Sequence, residues 1–370
     1  TATTEIYTIL FVGSVQMCIR DRDIIMNKII DLRSDTVTLP TSEMLQAISE
    51  ANLGDDVYVE DSSTLELEAL AAEITGMESA ILVSSGTMGN LVSSLVHCPR
   101  GTEVIMGHKS HTFIYESGGI STYGGIHSHQ LKNNNDGTIN INDIKDAIRI
   151  DDVHFPKTSL ICIENTHNKC YGFPLELSYI NLVCDTAHEN NIKVHMDGAR
   201  IFNACAALDL DAKTVLENID SVTFCLSKGL SSPIGSVLCG TRDFIKEARR
   251  IRKSLGGGMR QTGVFASAGI VGLRSMRSRL KEDHQNAKFL AQSINNLDGI
   301  ELNLDYIQTN IIFFNFNHPH ISSSELVAHM KSNGILFSDY NGKHCRLVTH
   351  NDISRKDVEN VIDVFNKLLS

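Results

Sequence analysis

The residues with the most chemistry in them fall in three short motifs. Ser84 to Asn90 reads SSGTMGN. Gly86 and Gly89 let the backbone turn tightly between an apolar run and a helical stretch. The start of that helix offers free N–H groups and a positive dipole end, which together cradle phosphate. The stretch has neither the lysine of a Walker loop nor the spacing of a dinucleotide site. His195 to Arg200 reads HMDGAR. Asp197 closes an apolar strand, at the sheet edge where α/β proteins bind ligands. Its carboxylate can hold a cationic ring nitrogen, Gly198 permits close approach, and Arg200 brings a fixed positive charge. Cys225 to Leu230 reads CLSKGL. Lys228 directly follows another apolar strand, where burial disfavours its charge. A lowered pKa is what a Schiff-base lysine needs.

Each motif alone also fits a plain structural role: a capped strand–helix turn, an Asp-Gly turn, a lysine reaching solvent. Together they form one constellation, with Lys228 thirty-one residues after Asp197. A phosphate loop, a partner for a pyridinium nitrogen and a lysine for an aldehyde carbon are the set that pyridoxal 5′-phosphate (PLP) requires.

The elements that must position these groups follow from the hydrophobic pattern. TLELEALAAEITG (64–76) has helical spacing and stops at Gly76. SAILV (79–83), TEVIM (102–106), SLICIEN (159–165), IKVHMDG (192–198), SVTFCLS (221–227) and GSVLCG (235–240) are short apolar runs, with helical segments between many of them. That alternation predicts an α/β layer architecture with a mostly parallel sheet. After about residue 275 the pattern changes. A long amphipathic helix (277–296) precedes IIFFNF (311–316), a helix around 323–333, ILFSD (335–339), CRLVT (345–349) and a final helix. The expected division is a large cofactor domain over 26–275 and a small α+β domain over 276–370.

Composition narrows the function classes. The 370 residues carry a formal net charge of −11, which argues against a nucleic-acid partner. No run is long enough for a spanning helix. The nine cysteines include no C-x-x-C pair, and several sit in apolar strand-like runs. They read as buried reduced thiols of a cytoplasmic protein, and the Cys and His residues lack metal-ligand spacing, so no metal is expected. The N-terminal EIYTILFVGSVQMCI (5–19) lacks the charged start of a signal peptide. SVQMCIRDR resembles the translation of a sequencing-library adapter. Residues 1–25 are therefore expected to be a non-native extension, with the protein beginning MNKIIDLRSDT.

Beyond these pieces, a set of motifs in order resembles one family. DLRSDTVTLPT (31–41), GDDVYVED (54–61), SSGTMGN, IENTHN (163–168), HMDGARIFNA (195–204), FCLSKGL (224–230), LGGGMRQTG (255–263) and RLVTHNDISR (346–355) look like those of the low-specificity PLP-dependent threonine aldolases. The resemblance covers about residues 29–370. It implies fold type I, the aspartate-aminotransferase-like fold, and retro-aldol cleavage of L-threonine or L-allo-threonine to glycine and acetaldehyde. It also implies roles. Lys228 carries the cofactor, Asp197 pairs with the pyridine nitrogen, and Arg200 contacts the ring phenolate oxygen. Gly86 and Thr87 hold the phosphate. His111 stacks on the ring, with Glu116 as an acid beside it. Ser34 and Arg346 fix the substrate carboxylate, and His154 sits near the substrate hydroxyl. Tyr58 and Arg260 reach a neighbouring subunit's site in a homo-oligomer, a dimer of dimers. The general base is His154, His111 or a water that they hold.

Some positions depart from the family pattern: Val59, Ser63 and the loop KCYGFP (169–174). Several residues also have structural readings. Ser34 fits a cap, His154 a loop histidine and Arg346 a surface ion pair, while His167 and His195 read as structural. By strand alternation His195 and Asp197 share a face. Two other readings stand beside the aldolase: a β-eliminating lyase or transaminase of the same fold, and a non-enzymatic PLP-fold regulator. The intact Lys228 and Asp197 count against the last.

Overall fold

The computed structural model describes residues 28–369. The expected extension over 1–25 lies outside them. The first described strand, β1 (Ile30–Asp31), is short. Then come β2 (Ser79–Val83), β3 (Glu103–Gly107), β4 (His127–Leu131), β5 (Thr158–Glu164), β6 (Lys193–Asp197), β7 (Ser221–Cys225) and β8 (Ser236–Gly240). These seven form one sheet in the order β2-β8-β7-β6-β5-β3-β4. The pairs β3–β4, β3–β5, β5–β6 and β6–β7 are parallel. β8 alone runs the other way, antiparallel to both β7 and β2.

Strands this apolar must be covered on both faces, and strand alternation divides their side chains accordingly. Ile105, Ile161 and Ile163 join the main core on one face. Val104, Met106, Leu160 and Cys162 point to a second cluster on the other. Ile81 and Val83 pack with Val92 and Leu238 in a third. β2 runs in the same direction as β5, β6 and β7, because two antiparallel steps separate it from β7. The loop after β2, Asp197 and the turn bearing Lys228 therefore meet at one edge of the sheet.

The helix Gly86–His97 starts at that edge, with the Ser85 side chain accepting from Met88 N–H as its N-cap. Gly89 is needed there: a Cβ would lie 2.4 Å from Thr223 Cγ2, so only glycine lets the helix sit this close to β7.

A π-helical turn, Gly272–Met276, links the helix Gly263–Val271 toward the long helix Leu280–Ile294. Past it lie β9 (Ile300–Glu301), β10 (Ile311–Phe316), β11 (Ile335–Leu336), β12 (Ser338–Tyr340) and β13 (His344–Val348). Four of them form an antiparallel sheet in the order β12-β13-β10-β9. ILFSD is thus not one strand. β11 pairs parallel with β1, while β12 pairs with β13. Consequently Ile30 and Leu32 belong to the core beneath this second sheet, beside Phe314, Leu347 and Phe365. The segment around residue 34 passes from that core to the edge of the large sheet.

Candidate active site

A cavity of about 200 Å³ opens at the shared edge. Ser85, Gly86, Thr87, Asn90, His111, Glu116, Asp197, Ala199, Cys225, Ser227 and Lys228 line it. Six of the residues singled out from sequence therefore meet there: Gly86, Thr87, His111, Glu116, Asp197 and Lys228.

Each is held by its own element. Asp197 ends β6 and is buried; its Oδ1 accepts from Ala199 N–H at 3.1 Å and its Oδ2 from Asn90 Nδ2 at 2.9 Å. Lys228 is half-buried three residues past β7, and its carbonyl accepts from the Thr38 hydroxyl at 3.1 Å and from Ser231 N–H at 2.8 Å. His111 is fixed twice. Its backbone N–H donates to Glu164 Oε2 at 2.8 Å, and its Nδ1 lies 2.9 Å from Glu116 Oε1. Burial opposes the charged imidazolium, but the Glu116 bond and the nearby carboxylates outweigh it and raise the His111 pKa. Burial also pushes the Glu116 carboxyl up, and the charge of Asp197 adds to this.

Arg200 and Arg346 lie beside the cavity. Arg200 is buried in a two-pronged pair with Asp35, Nε to Oδ2 and Nη2 to Oδ1 at 2.7 Å each. Its remaining nitrogen, Nη1, is 3.5 Å from Asn168 Oδ1. Arg346 donates to that same oxygen at 3.0 Å and to the Arg33 carbonyl at 2.9 Å. It is buried, not a surface ion pair, and its Nε has no hydrogen-bond partner. Burial and the Arg200 charge push its pKa down. A guanidinium held in this way is a chemical match for a carboxylate. Ser34 caps a short 3-10 turn, accepting from Thr36 N–H at 3.3 Å and lying one residue from Asp35.

Burial alone would raise the Asp35 carboxyl, but Arg200, with Lys228 and Arg346 behind it, holds it well below the usual carboxylate range. Its ionised form therefore stabilises the fold above the ordinary value of 3.8, and that contribution fades as pH falls toward the folded value. Asp35→Asn leaves Arg200 buried without its counter-ion, so a loss of about 3–5 kcal/mol is expected at pH 7. Urea unfolding of both proteins at pH 7 and at pH 3 checks this. The difference should shrink at pH 3, and equal midpoints at pH 7 would sink the assignment.

Three predicted residues are not brought to this cavity within one chain. The His154 side chain is 81% exposed and paired with Asp152 at 2.7 Å. Tyr58 is 72% exposed. Arg260 is exposed and pairs with Asp55 at 3.1 Å. The sequence reading also missed residues that the site uses. Asn90 sits inside the SSGTMGN motif, but nothing in the sequence gives its partners. Asp35 stands in DLRSDT, and Asn168 closes IENTHN.

The lining fits PLP on its own chemistry. Gly86 and Thr87 begin the helix, so their N–H groups have no intrahelical acceptor and suit a phosphate. A Cβ on Gly86 would come within 3.0 Å of Cys225 Sγ, so glycine keeps that end open. Asp197 offers a carboxylate to a cationic ring nitrogen, Lys228 an amine to an aldehyde, and half-buried His111 a flat ring face.

A family model described as beta-eliminating lyase matches residues 31–317. The chain is 45% identical over 343 residues to a probable low-specificity L-threonine aldolase 2 of Arabidopsis thaliana, covering 92% of this chain and 97% of that protein. It is 41% identical over 332 residues to a low specificity L-threonine aldolase of Escherichia coli K12, covering 90% and 97%. The structure of Leishmania major threonine aldolase superposes with a TM-score of 0.78 at 19% identity, covering 92% of this chain and all of that one.

Proposed function

The chain belongs to the low-specificity L-threonine aldolase family, and from that premise we propose how its own residues divide the work. It is a PLP-dependent carbon–carbon lyase of fold type I, cleaving β-hydroxy-α-amino acids such as L-threonine or L-allo-threonine to glycine and acetaldehyde. The observation that carries the assignment is that Lys228 and Asp197 line one cavity with the start of the helix Gly86–His97.

Bound there, the cofactor supplies an electron sink for the pair released when the Cα–Cβ bond breaks. Lys228 would hold it through its side-chain amine. Asp197 would face the ring nitrogen and favour its protonated form. Gly86 and Thr87 hold the phosphate at the helix start. Arg346 and Ser34 would fix the substrate carboxylate and so set the orientation of Cα–Cβ. His111 is the favoured proton carrier: with Nδ1 engaged by Glu116, its Nε2 is free to exchange a proton with the β-hydroxyl. Arg200, occupied by Asp35, acts at the cavity wall through its position and charge.

The product test is direct. The PLP-loaded protein should convert L-threonine or L-allo-threonine to equal amounts of glycine and acetaldehyde. Ammonia with 2-oxobutanoate instead would favour the β-eliminating reading that the family description also allows.

His154, Tyr58 and Arg260 take part only if a second chain supplies them. Exposed Val57, Tyr58, Val59, Phe113, Ile114 and Tyr115 provide apolar surface for that contact. The proposed assembly is a homotetramer built from dimers with shared sites. Mixing inactive Lys228→Ala with inactive Arg260→Ala subunits should then restore some activity. No recovery, with subunit exchange demonstrated, would remove the shared-site proposal. Among the described residues the cysteines are free and buried, and no helix is long and apolar enough to cross a membrane. The buried thiols support a reducing, cytoplasmic setting; detection of the tagged protein in a membrane or secreted fraction would overturn it.

A further inference from the structure

We infer that Asn90 is a positioning residue for Asp197, and that His195 fixes the orientation of its amide. The inference rests on the PLP reading of the cavity. Asn90 is buried in the helix Gly86–His97. Its Nδ2 donates one proton to Asp197 Oδ2 and the other to Glu116 Oε1, both at 2.9 Å. Its Oδ1 lies 3.2 Å from His195 Nε2. One side chain thus joins the carboxylate that faces the ring nitrogen to the carboxylate that holds His111.

The bonding leaves the amide a single orientation. His195 is buried, and burial lowers its pKa to about 3, so the ring is neutral and carries one N–H. Its Nδ1 has the hydroxyls of Ser93 and Ser221 at 2.9 Å each. Asn90 gives both amide protons to carboxylates, so its Oδ1 can only accept from His195, which puts the ring proton on Nε2 and leaves Nδ1 to accept from a serine hydroxyl. A flipped Asn90 would set its oxygen against two carboxylates and its NH2 against that N–H. The chain continues outward. Ser221 Oγ is 2.8 Å from His97 Nε2, and His97 stacks on Phe244 at 4.6 Å between ring centroids. Asp197 is therefore anchored, through Asn90 and His195, to packed groups at the C-terminal end of the same helix, on the same face as Asn90.

This assigns a function to His195, which the main reaction scheme leaves idle. It shares a face of β6 with Asp197, two residues away, and its proton orders the amide rather than moving in the reaction. Without the amide, two buried carboxylates face each other with no donor between them. One then takes up a proton, and the charge opposite the ring nitrogen weakens.

Asn90→Ala should raise the PLP dissociation constant of the apo protein roughly tenfold to a hundredfold, the size expected for losing a hydrogen bond to a charged group. It should alter the visible spectrum of the loaded enzyme. It should also lower kcat while the KM for threonine stays near that of the unaltered protein, since Arg346 and Ser34 are untouched. His195→Phe should move the same quantities in the same direction by less, and His195→Gln, which restores an N–H donor, should recover most of the change. Asn90→Ala with unaltered PLP affinity and spectrum would overturn the inference. Should Asn90→Ala fail to fold, as judged by thermal unfolding of the apo protein, the His195 pair decides. His195→Phe indistinguishable from the unaltered protein in PLP affinity and spectrum overturns it equally. Failure of the unaltered protein to bind PLP would instead remove the reading beneath both.

Discussion

Lys228→Ala should abolish the visible absorbance of the PLP-loaded protein and lower retro-aldol activity on the order of a thousandfold or more. The size follows from its place. Lys228 is the lysine that lines the cavity, three residues beyond β7 and half-buried. Its backbone is pinned, with the carbonyl taken by Thr38 and Ser231. The alanine variant therefore removes an amine and leaves the turn intact. Lys169 and Lys109 are not substitutes, because neither lines the cavity. The Lys169 ammonium rests over the Tyr340 ring at 4.2 Å. A Lys228→Ala protein that keeps both colour and activity would sink the assignment.

The second large effect is expected at Asp197. Asp197→Asn preserves shape but removes the charge opposite the ring nitrogen. The group is buried, so water cannot replace that charge, and a loss of about a hundredfold to a thousandfold in kcat is expected. PLP should still bind through Gly86, Thr87 and Lys228, so the spectrum distinguishes lost chemistry from lost cofactor. A near-normal rate would rule out the electron-sink role. The exchange also sets two amides against each other at Asn90, whose Nδ2 now donates to Asp197 Oδ2. Some of the loss therefore comes through displacement of Asn90, and the spectrum of Asn90→Ala offers the comparison.

The parts of the fold that announce themselves in sequence are those with buried, uninterrupted apolar strands. β6 and β7 are nearly or wholly buried along their length, and their motifs end at the edge the pattern predicts. β4 reads HSHQL and is partly exposed along its length, so apolar patterning does not mark it as a strand. The reversed direction of β8 carries no local signal, since an apolar strand looks alike either way. The split of ILFSD arises from pairing with β1, some three hundred residues away in sequence.

The site follows the same logic. Gly86, Asp197 and Lys228 were legible from residue type and local motif, and Thr87, His111 and Glu116 only through the family resemblance; all six line the cavity. Partners set by tertiary packing were not. Asp35 and Arg200 are 165 residues apart, and Asn90 and Asp197 are 107 apart. Arg200 illustrates the difference. The family resemblance points it at the cofactor ring, while the fold commits two of its nitrogens to Asp35. His195 and Asp197 do share a strand face, and the link between them is the Asn90 amide. His154, Tyr58 and Arg260 remain exposed in a single chain, so whatever they contribute requires another copy.

The measurement that bears most directly on the central claim is borohydride reduction of the PLP-loaded protein, followed by digestion and mass mapping. Reduction makes a lysine–cofactor bond permanent and marks the residue that held it. The account predicts the phosphopyridoxyl mass on the peptide containing Lys228 and on no other lysine peptide. A label on Lys169 or Lys109, or no label on a protein that nonetheless cleaves threonine, would contradict it.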